Sequence, residues 1–221
     1  MPQQNIQEKI ISASIQLFME YGVRSVTMDD IARHLAMSKK TIYLHFKDKK
    51  QIIVVATREH FAKEQALLTS IEEQSENAFE ALFSMTMCIR QQVKTLKSNL
   101  LFDLKKYYPE AWEIYMGFKQ DVIYNSMIKN MKRGIAEGLY RSDIDPVILA
   151  HLRFGEVELA FNPDYFPSDQ FNFMEVHQQM FEHFAYGLLT KQGLKLFDAY
   201  KKKEPSIKPV WQSHLSGSQS A

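Results

Sequence analysis

A chain of 221 residues, 45% hydrophobic and 24% charged, is long enough for one or two packed cores and too ordinary in composition to be disordered or fibrous. Its formal charge of +1 excludes a molecule that attracts polyanions with its whole surface, so any nucleic-acid contact has to be local. The single cysteine, Cys88, excludes an internal disulfide framework and any metal site built on several cysteines, and a reducing, cytoplasmic home is expected.

The N-terminus is polar, and no stretch approaches the ~18 consecutive apolar residues of a membrane helix, so no membrane contact is expected. From Ile6 the apolar residues Ile6, Ile10, Ala13, Leu17 and Tyr21 recur three and four apart, which predicts an amphipathic helix. Gly22 suits the left-handed position that ends it. Thr27 and Asp30 form a variant capping box, predicting a second helix over Met28 to Leu35. Ser38 can cap a third, Lys39 to Phe46, and Asp48 with Gln51 a fourth that continues well past Phe61.

The remainder reads as helix almost throughout: Ala78 to Leu96, Asn99 to Tyr107, Glu110 to Glu137, Pro146 to Phe161, and Phe173 to about Tyr200. Pro109 suits a first turn, Gly138 a stop, and Asp145-Pro146 a cap followed by a first-turn proline. Pro163 and Pro167 mark 162–172 as a loop. The fold class is therefore all-α. The expected division is a helix-turn-helix domain at 1–47, a larger helical domain at 48–200, and a basic, then Pro- and Ser-rich tail at 201–221 that is expected to be disordered.

The stretch Thr27 to Lys50, TMDDIARHLAMSKKTIYLHFKDKK, carries the chemistry. Ile31, Ala32, Leu35, Met37, Ile42 and Phe46 can share an inner face. That leaves Lys39, Lys40, Thr41, Tyr43, Leu44 and His45 pointing outward on the third helix. Lysines 39, 40, 47, 49 and 50 stand against one acid, Asp48, between positions 39 and 50. A helix with a cationic flank fits a major groove about 12 Å wide, and its N-terminal residues reach base edges. Helix N-termini at Thr27, Ser38 and Asp48 offer N–H groups to phosphate oxygens.

On these residues the segment 6–61 resembles the DNA-binding domain of the TetR family of bacterial transcriptional regulators. The likeness is carried by Leu17-Phe18, Gly22, Val26-Thr27, Asp30-Ile31-Ala32, Ser38, Thr41-Ile42-Tyr43, His45-Phe46, Lys47, Lys49 and Gln51. It implies a homodimer whose last two helices, about 146–161 and 173–200, pair across a two-fold axis on a roughly palindromic double-stranded operator. It also implies Thr27, Tyr43 and Lys49 on phosphates, and Ser38, Lys39, Thr41 and His45 near backbone or bases. The chain departs from the family at Lys40, where a small residue is common, and at Leu44, where an aromatic is common. Lys40 could contact guanine or phosphate and Leu44 a thymine methyl.

The middle of the chain is rich in large side chains. Similar proteins hold a small effector among these helices, and aromatic and methionine lining suits a largely apolar or aromatic compound. The candidate effector-binding residues are Met85, Cys88, Phe102, Tyr108, Trp112, Tyr115, Met116, His151 and Phe154. Ile148, Leu152, Gly155 and Leu159 form one apolar stripe, and Phe173, Val176, Met180, Phe184 and Leu188 another, which can bury within the monomer or against a second copy. Gly155 and Gly187 would allow close approach.

The expected function is a ligand-released repressor, with no cofactor, no metal and no enzymatic activity. The alternative is a helical enzyme or protein-interaction adaptor carrying a DNA-binding head. No Glu-x-x-His pair, G-x-S-x-G elbow, G-x-x-x-x-G-K loop or H-E-x-x-H helix supports the enzyme.

Overall fold

A computed structural model describes residues 5–93, 100–160, 162, 164–167 and 169–203. The chain is helical: α1 (Ile6–Tyr21), α2 (Met28–His34), α3 (Lys39–Tyr43), α4 (Lys49–Gln74), α5 (Ala78–Val93), α6 (Leu100–Tyr107) and α7 (Pro109–Gly117), a π-helical segment (Phe118–Tyr124), then α8 (Asn125–Ala136), α9 (Pro146–Ala160), α10 (Phe173–Leu188) and α11 (Lys191–Lys203). It packs as two units, one of Met1–Gln65 with Val93–Lys119 and one of Ala66–Gln92 with Gln120–Ala221. By packing, the first unit thus takes in more than residues 1–47. The expected helix ends at Leu96, Asn99 and Phe161, and the tail from 204 onward, lie outside the described residues.

The core of the first unit joins Ile10, Leu17 and Phe18 of α1 to Ile31 and Ala32 of α2, Ile42 of α3, Phe46, and Ile52, Ile53 and Ala56 of α4. Leu100 and Leu104 of α6 and Ala111 of α7 complete it, with Tyr108 and Trp112 packed against it. Apolar residues three and four apart on each helix put one face into this core, which is what holds such short helices together. Gly22 ends α1 with φ 85°, a backbone region open to glycine, and its N–H donates to the Phe18 carbonyl at 2.9 Å.

The second unit has its own core of Phe79, Leu82 and Phe83 of α5, Met131 of α8, Tyr140, Ala150 of α9, Phe181, Phe184 and Leu188 of α10, and Phe197 of α11. Asp145 caps α9 as expected, accepting from the Val147 and Ile148 N–H groups at 2.8 and 3.1 Å. At the α4–α5 turn Arg133 donates to the carbonyls of Glu72 and Ser75 at 3.3 and 3.0 Å and pairs with Glu137 at 2.7 Å, while the other Glu137 oxygen accepts from the Ala78 N–H.

Two expected helices are corrected. The helix from Glu110 to Glu137 begins at Pro109 and passes through a π-helical segment at Phe118–Tyr124, where Asn125 donates to the Asp121 carbonyl at 2.8 Å. The widened turn places the Tyr124 ring against His151 and Phe154, with centroids 4.2 and 5.2 Å apart. The helix from Phe173 to Tyr200 breaks after Leu188. Leu189 pairs with Tyr140 in an isolated antiparallel bridge, the Thr190 N–H donates to the Leu139 carbonyl at 2.9 Å, and the Thr190 hydroxyl donates to the Gly138 carbonyl at 2.8 Å. Backbone groups that would have continued the helix are satisfied by a loop some fifty positions earlier, and Thr190 then caps α11.

Candidate nucleic-acid interface

The helix-turn-helix is built by side-chain caps. At α2 the Thr27 hydroxyl donates to Asp30 Oδ2 at 2.6 Å and accepts from the Asp30 N–H at 3.2 Å, while the Thr27 N–H donates to the same carboxylate at 2.9 Å. This is the reciprocal box expected from Thr27 and Asp30, and these bonds hold the Asp30 carboxyl below its ordinary range. At α3 the Ser38 hydroxyl accepts from the Thr41 N–H at 3.0 Å and lies 2.9 Å from the Thr41 hydroxyl. At α4 the Asp48 carboxylate accepts from the Gln51 N–H at 2.9 Å, and Gln51 reaches back to the Lys47 N–H at 2.6 Å.

The turn between α2 and α3 closes in a way that was not legible locally. Met37 N–H donates to the Ala32 carbonyl at 2.9 Å and Ala36 N–H to the Arg33 carbonyl at 3.1 Å, the paired bonds of a Schellman ending. Ala36 holds the left-handed position that glycine usually takes, with φ 49°. Helix α3 ends at Tyr43 instead of Phe46, because His45 and Phe46 N–H groups both turn back to the Ile42 carbonyl.

The result is a short helix with a sharp division of faces. Ile42 is 0% exposed and Phe46 is buried, whereas Leu44 is 75% and Tyr43 51% exposed, with Lys39 and Lys40 exposed beside them. Thr41 and His45 are half-buried at the edges; Leu35 and Met37, expected inside, are half-buried too. The first-turn N–H groups of Lys39 and Lys40 have no acceptor within the helix.

Folding also changes the local charge. Asp29, from the first turn of α2, comes back to pair with Lys39 at 2.6 Å, which holds that ammonium in its charged form to higher pH. Lys49 is half-buried, and its amine donates to the Arg24 carbonyl at 3.3 Å. Burial pulls its pKa below the ordinary lysine value, with Asp30 partly opposing. Among the described residues Lys40, Lys47 and Lys50 enter no ion pair. The sequence reading missed Asp29, whose nearness to Lys39 depends on the α2–α3 turn, and Arg24 and Arg33, which flank the box; Arg33 lies 3.6 Å from Asp30.

The candidate effector-binding residues fall in both packing units. In the first, Tyr115 is buried, Tyr108 and Trp112 are half-buried, and Phe102 and Met116 are exposed. Trp112 and Phe61 both lie against Tyr115, and Phe61 stacks on Phe118 with centroids 4.7 Å apart. In the second, Met85 and Cys88 are buried with Ile71, and Leu67 and Leu68 pack around them. There Phe154 is buried and His151 exposed, both against Tyr124.

Residues 10–64 match the family model for bacterial regulatory proteins of the tetR family. The chain is 25% identical over 188 residues to the HTH-type transcriptional regulator YvaF of Bacillus subtilis, covering 84% of this chain and 96% of that one. It is also 25% identical over 200 residues to the biofilm operon icaADBC HTH-type negative transcriptional regulator IcaR of Staphylococcus aureus, covering 84% and 97%. Its fold is that of a transcriptional regulator from Saccharomonospora viridis in complex with choline, with a TM-score of 0.71 at 17% identity over 84% of this chain and 98% of that one. These relatives are transcriptional regulators and not enzymes. Among the described residues no helix is long and apolar enough to cross a membrane.

Proposed function

We propose that this chain, which belongs to the TetR family of bacterial transcriptional regulators, is a cytoplasmic repressor that binds a palindromic operator as a dimer and leaves it when a small, largely apolar or aromatic effector enters the helical body. The observation that carries the reading is the exposed flank of α3, where Lys40, Tyr43 and Leu44 stand outside a helix whose Ile42 is wholly buried. In this reading residues 1–47 bind DNA and 48–200 bind effector and partner. Tyr43, Lys49 and Thr27 contact phosphates, with Ser38, Lys39, Lys40, Thr41, Leu44 and His45 near backbone or bases. For Lys39 to do so, a phosphate must take the place of Asp29, and for Thr27 the hydroxyl must turn from Asp30.

Repression is supported by IcaR, a negative regulator. A ligand in the body is supported by the choline complex of the Saccharomonospora protein and by the aromatic and methionine groups around Tyr115, Tyr124 and Cys88. The double variant Tyr43→Ala, Lys49→Ala tests the phosphate assignments. It is expected to weaken binding to operator and random duplex alike by about tenfold or more, with a slope of log K against log salt shallower by about 1 for each protomer. Unchanged binding by a folded variant refutes the assignment.

A further inference from the structure

We infer that a second contact for the DNA backbone lies outside the helix-turn-helix, on the face of α6 beside the α1–α2 turn, and is made by Arg24, Lys105 and Lys106. The inference rests on the reading of α3 as the recognition helix. All three cations are exposed, and each is seated on an aromatic ring. The Arg24 guanidinium lies 4.6 Å from the Tyr107 centroid, Lys105 lies 5.6 Å from Trp112, and Lys106 lies 5.5 and 5.4 Å from Phe102 and Tyr107. The three rings thus carry a row of positive charge that the charge count of residues 39–50 leaves out.

Two observations favour nucleic acid as the occupant. The first is charge: among the described residues none of the three cations enters an ion pair, Asp103 of α6 is buried, and the exposed Glu110 and Glu113 of α7 pair with none of them. In a chain of net charge +1, an unopposed basic row is a local feature that suits a polyanion. The second is continuity. Lys49, placed on a phosphate in the proposed function, donates to the carbonyl of Arg24, so the row begins where the helix-turn-helix contact ends. A cation resting on an exposed ring face is held weakly and can swing to a phosphate oxygen, with the ring left to order its stem. This surface would take the sugar-phosphate backbone flanking the half-site and contribute affinity without base preference.

The test uses full-length protein and two labelled duplexes carrying a site recovered by selection from a random pool, one with long flanks and one trimmed to the half-sites. Lys105→Ala, Lys106→Ala, alone and with Arg24→Ala, should bind the long duplex about tenfold more weakly near 0.1 M salt. The salt slope should be shallower by about 1 to 2.7 for each protomer, since one to three phosphates are released. On the trimmed duplex the variants should match the parent, and Lys105→Arg, Lys106→Arg should restore binding to the long one. A parent that binds while the alanine variants keep its slope on both duplexes overturns this inference alone. Equal loss on the trimmed duplex also overturns it, because the effect would then act through the helix-turn-helix or through another partner surface. A parent that binds neither duplex overturns the proposed function itself.

Discussion

The double variant Ile148→Glu, Leu152→Glu should be a folded monomer that has lost about a thousandfold or more in operator affinity, the gap between specific binding by a paired regulator and non-specific binding by one head. The reason lies in α9. Its stripe of Ile148, Leu152, Gly155 and Leu159 can bury within the monomer or against a second copy, and in the single chain Ile148 is 64% and Leu152 52% exposed, with Val147 exposed beside them. Gly155, on the same helix, and Gly187 of α10 have nothing within 4 Å of where a Cβ would stand, and Tyr186 is exposed next to the latter. Large apolar side chains gathered on one helix face, with glycines that permit close approach, suit pairing with a second copy of the same face. Glutamate there costs the single chain little, because the replaced side chains are largely in water already, but it would place like charges on both sides of the proposed symmetric seam. Sedimentation or light scattering should show the parent as a dimer and the variant at half that mass. A variant that remains dimeric would show that the copies meet elsewhere.

The second large effect concerns the body's own stability. Gly134→Ala should destabilise the protein by about 3 kcal/mol and lower its melting temperature by roughly 6–12 °C. A Cβ on Gly134 would fall 2.2 Å from Tyr140 Cδ2 and 2.3 Å from Cε2. That ring cannot easily retreat. Tyr140 is buried, its hydroxyl donates to Asn130 Oδ1 at 3.1 Å, and the Asn130 amide donates to the Ala78 carbonyl at 2.8 Å. Its backbone is held as well, since the Leu139 and Tyr140 N–H groups both donate to the Gly134 carbonyl. The added methyl must therefore break a buried polar chain or overpack the α8 end of the core. Thermal unfolding followed by circular dichroism checks this, and the double variant Gly134→Ala, Tyr140→Ala should lose less than the sum of its parts because the clash is gone. A drop under about 1 kcal/mol for Gly134→Ala would mean that the ring moves freely.

What could be read from the residues alone follows a physical pattern. The helix-turn-helix was legible because its information is local: Thr27, Ser38 and Asp48 each cap a helix within three or four positions, and Ile42 and Phe46 bury where the spacing puts them. The break after Leu188 was not legible, since no proline follows it, Gly187 lies inside the helix and not in a left-handed position after it, and the chain beyond Leu188 finds its partners at Gly138, Leu139 and Tyr140. Ala36 gave no warning of its left-handed backbone, because alanine has no preference for it. Nor did spacing reveal that Asp29 would neutralise Lys39, or that α6 would carry lysines to the side of Arg24. Both pairings arise only when the chain folds back on itself.

The central claim is that the exposed flank of α3 reads a duplex, and selection of bound sequences from a random duplex pool tests it most directly. The parent protein should enrich two inverted half-sites whose centres lie about 34 Å apart, one helical turn. A Lys40→Ala, Leu44→Ala variant should enrich different bases at fixed positions within each half. No enrichment by the parent, or the same sequence chosen by both proteins, would contradict the claim.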